Sequence, residues 1–339
     1  MTLPEEPNLA IVGATGAVGR ELMNLLIERR FAHGRLRLLA SARSAGRLLP
    51  YCGTSLAVEE LTERSFADID LAFFSAGGAI SRQYAPAAVE AGAIVIDNSS
   101  AFRMDDDVPL IVPEINGDGL ARFSEPGIIA NPNCSTIIAL MAATPLHRAA
   151  TVKRMVISTY QAASGAGAAW MAELQQQALD HAAGTPYTMR TTGRQLLFNV
   201  FSHNSPLGPE GYNEEEMKLL RETRKIWSDE SVLISATCVR VAVLRAHSAA
   251  INLTFARPLD EQEAYRVLAE APGLRVVDDR AANRFPEPID ADGKDDVLVG
   301  RIRSDISQAP GMGMDMFVSG DQLRKGAALN ALQIAEMLP

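Results

Sequence analysis

Apolar residues in the first third of the chain come in short blocks, separated by segments whose apolar positions recur at helical spacing. Asn8–Gly13 reads as a buried strand, and Ala17–Arg29 follows it as an amphipathic helix. Leu36–Ala40, Asp70–Phe74 and Ala93–Asp97 repeat the strand pattern, with a helix expected over Ala79–Glu90. Gly127–Ala130 adds another short apolar strand. Strand, helix, strand in that order predicts a parallel, doubly wound sheet, because parallel neighbours need crossover connections.

The pattern changes from Val152. Val152–Tyr160 and Ser231–Val243 are β-rich, and Ala249–Arg257 alternates apolar and polar residues as a half-exposed strand does. Further strands are expected at Leu274–Asp278, Asp296–Ser304 and Met314–Ser319, with loops at Ser205–Gly211 and Phe285–Gly293. Runs of strands with few crossover helices predict a mixed α+β domain, one sheet face under helices and the other open to a partner. The chain closes on Leu323–Leu338, an amphipathic helix with Leu323, Leu329, Ile334 and Met337 available to one face.

Composition narrows the classes. The 339 residues leave room for roughly two domains at about 150 residues each. With 47% hydrophobic and 22% charged residues the chain is ordinary globular. It holds no apolar run of the roughly 20 residues that a membrane-spanning helix needs. The start, Met1-Thr-Leu-Pro-Glu-Glu, lacks the basic and apolar blocks of a secretory signal. A net charge of −9 argues against nucleic acid or an anionic membrane as the main partner. Cysteines at 52, 134 and 238 form neither a disulfide framework nor a zinc spacing, so no metal is expected. These features point to a soluble, cytoplasmic protein.

Chemistry concentrates at a few places. Gly13-Ala-Thr-Gly16-Ala-Val-Gly19 lies between the first strand and the first helix, where glycines let backbone approach a pyrophosphate at a helix N-terminus. The acidic residue expected about 20 positions later for NAD is replaced by Ser41-Ala-Arg43-Ser44, which suits the 2′-phosphate of NADP. The other reading of Arg43 is a solvent-facing loop residue. Asn131-Pro-Asn-Cys134-Ser-Thr follows an apolar strand and precedes an apolar helix, placing Cys134 near a helix N-terminus that favours its thiolate. On its own such a cysteine also fits a core position, the only role read for Cys52 and Cys238. Gln161 ends a strand before the glycine-rich Ser164-Gly165-Ala-Gly167. Arg240 and His247 flank the end of a β-run, and His247, one of five histidines, is a candidate acid or base for a cysteine nucleophile.

These motifs carry a family resemblance. GATGAVG (13–19), LLASARSAG (38–46), DNSSAFRMDDDVPLIVPEIN (97–116), NPNCST (131–136), TYQAASGAG (159–167), GYNEEEMK (211–218), TCVRVAVLRAHS (237–248) and LRKGAALNALQIAE (323–336) together make the chain resemble aspartate-β-semialdehyde dehydrogenases along nearly its whole length. The resemblance implies an enzyme of lysine, methionine and threonine biosynthesis. Its reaction is reductive dephosphorylation of L-aspartyl-4-phosphate by NADPH to aspartate semialdehyde. It implies Cys134 as nucleophile and thioester carrier, His247 as acid/base, and Gln161 as the residue that orients the acyl group. Arg240 would clamp the α-carboxylate and Glu215 would face the α-ammonium. Arg103 and Lys218 would receive phosphate, with Asn133 beside the substrate. Without the resemblance, Glu214–Lys218 reads as a charged helix face. Cofactor contacts are implied at Gly13, Thr15, Gly16, Ala17, Val18, Ser41, Arg43, Ser44, Ser75, Gly77, Ser164, Gly165 and Gln322.

The resulting expectation is a Rossmann-type doubly wound NADP-binding domain at 1–133 plus 321–339, with an inserted α+β catalytic and dimerisation domain at 134–320. The homodimer is an implication of the resemblance. Where the family has proline after Arg-Val, this chain has Ala242, and Phe201-Ser-His203-Asn204 replaces a more apolar, proline-containing stretch. Gln322 stands where asparagine is usual. The rival readings are an N-acetyl-glutamyl-phosphate reductase and a non-catalytic dinucleotide-binding paralogue. The intact cysteine, glutamine, arginine and histidine argue against the latter, and Glu215 discriminates against the former.

Overall fold

The computed structural model describes residues 3–123 and 125–339, which fall into two compact units, Met1–Asn133 with Ala327–Pro339 and Cys134–Gly326. The first unit runs β1 (Leu9–Val12), α1 (Ala17–Glu28), β2 (Leu36–Ala40), β3 (Leu48–Tyr51), β4 (Thr54–Glu60), β5 (Leu71–Phe74), α2 (Gly78–Glu90), β6 (Ile94–Asp97), a short α3 (Pro113–Asn116) and β7 (Ile128–Ala130). Its strands make one sheet in the order β3-β4-β2-β1-β5-β6-β7, parallel throughout except for the β3–β4 hairpin. Both faces of β1 are buried: Leu9 and Ile11 join a core with the α1 side chains Leu22 and Leu26, while Ala10 and Val12 pack with the α2 residues Ala85 and Ala88. Strands buried on two faces carry no polar alternation, which is why they read as apolar blocks.

The hairpin is absent from the sequence pattern. Its turn is Cys52-Gly53, with φ of 47° and 75°, and Tyr51 pairs with Thr54. Two left-handed residues match the twist of the strands they join, but the usual signal for such a turn is Asn-Gly or Asp-Gly.

The second unit opens with α4 (Cys134–Ala150) and β8 (Val152–Gln161), then α5 (Ala168–Ala183), β9 (Val200–Ser202), α6 (Glu214–Trp227), β10 (Leu233–Val241), β11 (His247–Phe255), α7 (Glu261–Glu270), β12 (Leu274–Val276), a short α8 (Pro288–Ala291), β13 (Val297–Ser304) and β14 (Gly313–Gly320). The mixed sheet is ordered β12-β13-β14-β11-β8-β10-β9. Met155, Ile157, Ile251, Leu253, Met314 and Met316 point to the buried face, against which α4 packs. Ser158, Ala250, Asn252 and Phe317 alternate with them and are only half-buried. The period-two pattern therefore reports one covered face and one open face.

The C-terminal segment differs from one continuous helix. Residues Arg324–Ala328 form a π-helical turn, and α9 spans Leu329–Glu336. Asp321 accepts the N–H groups of Leu323 and Arg324 at 2.9 and 3.2 Å, so Leu323 sits before the turn and within the second unit. Leu329 and Ile334 join the core of the first unit, whereas Met337 is 45% exposed. Among the described residues no helix is long and apolar enough to cross a membrane.

Candidate active site

In the first unit the glycine loop is shaped for close approach. A Cβ on Gly13, whose φ is +88°, would meet the Ser75 carbonyl oxygen at 2.4 Å, and one on Gly19 would meet the Gly13 oxygen at 2.5 Å. Gly16 precedes α1 with no side-chain cap, so the first-turn N–H groups around Ala17 and Val18 are left to a ligand or water. A 560 Å³ cavity adjoins this turn, lined by Gly13, Thr15, Gly16, Ser41, Arg43, Glu60, Ser75 and Tyr84 among others. Arg43 and Ser44 occupy a one-turn helix directly after β2, and Gly77, with φ +90°, precedes α2. The glycine cradle and bare helix start fit a dinucleotide pyrophosphate.

The second unit gathers the proposed catalytic groups at one edge of its sheet. Gln161 and Arg240 are register partners at the carboxyl ends of the parallel strands β8 and β10. Antiparallel β11 starts at the same edge with His247, since Ser248 pairs with Tyr160. Cys134 is the first residue of α4 and is partly exposed. Its neighbour Ser135 accepts a 2.9 Å bond from Gln161 Nε2, which ties the head of α4 to the end of β8. Gly326 permits close packing there, because a Cβ on it would lie 2.9 Å from that of Cys134. By contrast Cys238 is fully buried, and burial pushes its thiol up to about 12.

His247 is 2% exposed, and its Nδ1 accepts the Ala162 N–H at 3.0 Å. That bond assigns the proton of the neutral ring to Nε2, which has no hydrogen-bond partner among the described residues. Burial first, then the Arg240 guanidinium, pushes its pKa down to about 3. At neutral pH the ring is uncharged and presents an N–H. Gly165 lies against it: a Cβ there would sit 2.7 Å from Nε2 and 3.2 Å from Arg240 Nη1.

Arg240 is 2% exposed, with Nη1 donating to the Ala162 carbonyl at 2.8 Å and Nη2 to His203 Nε2 at 2.7 Å. Its guanidinium lies 5.4 Å from the Trp170 ring centroid. Its buried Nε–H meets no partner among the described residues. Glu215, in the first turn of α6, accepts from Gln161 Nε2 at 3.0 Å and from Lys218 Nζ at 3.1 Å. A buried carboxylate, a buried guanidinium and an imidazole N–H thus share one edge with an exposed-edge thiol.

Other sequence candidates have structural partners of their own. Arg103 is buried in the first unit and donates to the backbone carbonyls of Asn131 and Asn98 at 2.9 and 2.8 Å. Asn133 is buried just before Cys134. Gln322 accepts the Ala246 N–H at 2.9 Å and donates to the Ser164 hydroxyl, so its amide braces the loop after β8 against the bend before His247. Ala246 holds a left-handed φ of 71° in that bend. The Val243 and Leu244 carbonyls, which accept the Ala163 and Ser164 N–H groups, tie the segment that contains Ala242. The sequence pattern does not mark His203 and Ser205 as site residues: the one signal for His203 is the unusual Phe201–Asn204 stretch, and Ser205 only opens a loop.

Comparison with known proteins adds the family. Residues 8–123 match the semialdehyde dehydrogenase NAD binding domain, and residues 144–325 match the semialdehyde dehydrogenase dimerisation domain. A curated aspartate-semialdehyde dehydrogenase of Synechocystis is 51% identical over 336 residues, covering 99% of this chain and 98% of the relative. The chain belongs to the aspartate-semialdehyde dehydrogenase family. Aspartate semialdehyde dehydrogenase II complexed with ASA from Vibrio cholerae superposes with a TM-score of 0.94 at 42% identity, covering 98% of each chain. The Candida albicans enzyme, solved with NADP, gives 0.76 at 25% identity, again covering 98% of each chain. As a family member the chain is an oxidoreductase with a dinucleotide-binding domain and a dimerisation domain.

Proposed function

We propose that the chain catalyses the NADPH-dependent reductive dephosphorylation of L-aspartyl-4-phosphate to L-aspartate 4-semialdehyde, through a thioester on Cys134. The observation that carries this reading is the placement of Gln161, Arg240 and His247 at one sheet edge, with Glu215 and the head of α4 bonded to the same glutamine.

Cys134 Sγ attacks the acyl carbon, and the C–O bond to phosphate breaks, leaving the aspartyl thioester. The α4 N-terminus favours the thiolate that makes this attack. Gln161 holds the acyl group in register with the thiol through its side-chain amide. His247 serves as the acid/base, its Nε2–H meeting the acyl oxygen as charge gathers there; a low-polarity setting strengthens that contact. Arg240 takes the α-carboxylate with Nε–H and the remaining Nη hydrogens, a planar fork that ammonium cannot reproduce. Glu215 faces the α-ammonium, and Lys218 and Arg103 attract the phosphate, with Asn133 lining the substrate position. When bound, the nicotinamide would supply hydride to the thioester carbon or accept it in reverse, and the C–S bond then breaks to release the aldehyde and return the Cys134 thiolate. Gly13, Thr15, Gly16, Ala17, Val18, Ser75 and Gly77 would hold the cofactor, and Ser41, Arg43 and Ser44 would meet its 2′-phosphate. Ser164, Gly165 and Gln322 are the remaining cofactor contacts proposed.

The two units accordingly serve as NADP-binding and catalytic-dimerisation domains, and the chain works as a cytoplasmic homodimer. The test follows the reverse reaction: steady-state NADP reduction with aspartate semialdehyde, beyond a first turnover, should require inorganic phosphate. NADP reduction that proceeds equally without phosphate, or none with it, overturns the assignment.

A further inference from the structure

The two side chains proposed to grip the α-carboxylate and the α-ammonium are joined by a hydrogen-bonded chain. Arg240 Nη2 donates to His203 Nε2 at 2.7 Å. A guanidinium can only donate, so Nε2 is an acceptor and the histidine proton belongs on Nδ1. Nδ1 lies 3.1 Å from Ser205 Oγ and 3.3 Å from the Ser205 backbone nitrogen; with its proton on Nδ1 the ring donates to the nearer Oγ and cannot also accept from that N–H. Ser205 Oγ also accepts the Glu215 N–H at 3.2 Å and donates to Asn213 Oδ1 at 3.3 Å. Asn213 is the N-cap of α6 and accepts the Glu216 N–H at 3.0 Å, so the chain ends on the turn that carries Glu215. A second contact supports the first link: Asn204 Oδ1 lies 3.5 Å from Arg240 Nη2. The charge balance agrees: burial, opposed by Glu215 and aided by the Arg240 and Lys218 cations, holds His203 down to about 4 and keeps it a neutral acceptor.

We propose that His203, working through Ser205, is a positioning residue that fixes the spacing between Arg240 and Glu215 and so matches the site to a free α-amino acid. It touches neither the reacting carbon nor the thiol in this arrangement. It orients the guanidinium fork from behind while anchoring the backbone that presents the carboxylate. This rests on the roles proposed above for Arg240 and Glu215.

The test compares His203→Phe, which keeps bulk but neither bond, with His203→Gln, whose amide can both accept from Arg240 and donate to Ser205. In the phosphate-dependent assay H203F should raise KM for aspartate semialdehyde about tenfold or more, the value of a lost bond to a charged group. KM for phosphate and for NADP should change less than twofold, and the rate of Cys134 alkylation should hold. H203Q should recover most of the aldehyde affinity, and Ser205→Ala should give a smaller KM effect of the same kind. Unchanged aldehyde KM in H203F overturns the proposal. So does an H203Q enzyme as impaired as H203F, or a uniform loss across all three substrates and alkylation. An H203F protein that fails to fold leaves H203Q and S205A to decide by the same KM comparison. Absence of phosphate-dependent turnover in the unmodified protein would instead refute the activity itself.

Discussion

Replacing Gly165 by alanine adds one methyl group where His247 and Arg240 leave no room for it. The new Cβ would lie 2.7 Å from His247 Nε2 and 2.8 Å from Cε1, where ordinary contact begins near 3.4 Å. The buried ring must withdraw by about 0.7 Å, taking its N–H with it and straining the Nδ1 bond to Ala162. Gly165 does not have a left-handed backbone, so alanine meets no conformational penalty; Arg240 Nη1, at 3.2 Å, is crowded less than His247, and KM for NADP, measured alongside, separates any loss at the proposed cofactor contact. A displacement approaching 1 Å at a catalytic group costs on the order of a hundredfold in rate, about 2.7 kcal/mol of barrier. We expect kcat/KM in the phosphate-dependent oxidation to fall by about that factor, while iodoacetamide still alkylates Cys134 at its usual rate. A G165A enzyme within twofold of the unmodified protein would show that His247 Nε2 is not where the chemistry needs it.

Arg43→Asp should weaken NADP far more than NAD in steady-state titrations, because only the former has a 2′-phosphate to lose; equal losses would make Arg43 a support for the loop. Glu215→Gln should raise KM for aspartate semialdehyde while sparing Cys134 alkylation. The unmodified protein should turn over N-acetylglutamate semialdehyde negligibly, because its neutral amide offers the Glu215 carboxylate no ammonium and its acetyl group needs room beside it, and comparable kcat/KM on both aldehydes would favour the N-acetyl-glutamyl-phosphate activity. Stability should fall on acidification below pH 6.5. The unfolded histidines bind protons there, while His203 and His247 stay neutral until about 4 and about 3. Each contributes up to roughly 1.4 kcal/mol per pH unit, so urea midpoints for H203Q between pH 6.5 and 5 should fall less steeply than for the unmodified chain. Identical slopes would refute the neutral assignment of His203.

The parallel sheet of the first unit was legible because Leu9–Val12, Leu71–Phe74 and Ile94–Asp97 are buried on both faces and leave unbroken apolar blocks. The β3–β4 hairpin was not, since Leu48-Leu-Pro-Tyr sits at a sheet edge and its turn is Cys-Gly. Helices α5 and α7 also escaped the pattern, while the register between β8 and β10 placed Gln161 beside Arg240 across a separation no local spacing reports. Motif residues such as Cys134 and Arg240 stand out in the sequence by type and neighbours. Supporting residues do not. His203, Ser205 and the Ala162 backbone act by hydrogen bonds to other side chains, and nothing in a linear pattern marks a histidine as the acceptor of a guanidinium. Gln322 stood out through the family pattern as a cofactor contact, and the structure adds its brace between Ser164 and Ala246.

A covalent intermediate on Cys134 is the centre of the proposed chemistry, and intact-mass and peptide spectrometry can look for it. Mixing the enzyme with aspartate semialdehyde and NADP without phosphate should give a burst of about one NADPH per chain and an aspartyl adduct on the peptide that contains Cys134. Adding phosphate should discharge the adduct and restore steady turnover. An adduct on Cys52 or Cys238, or a burst with no adduct at all, would contradict the thioester at Cys134.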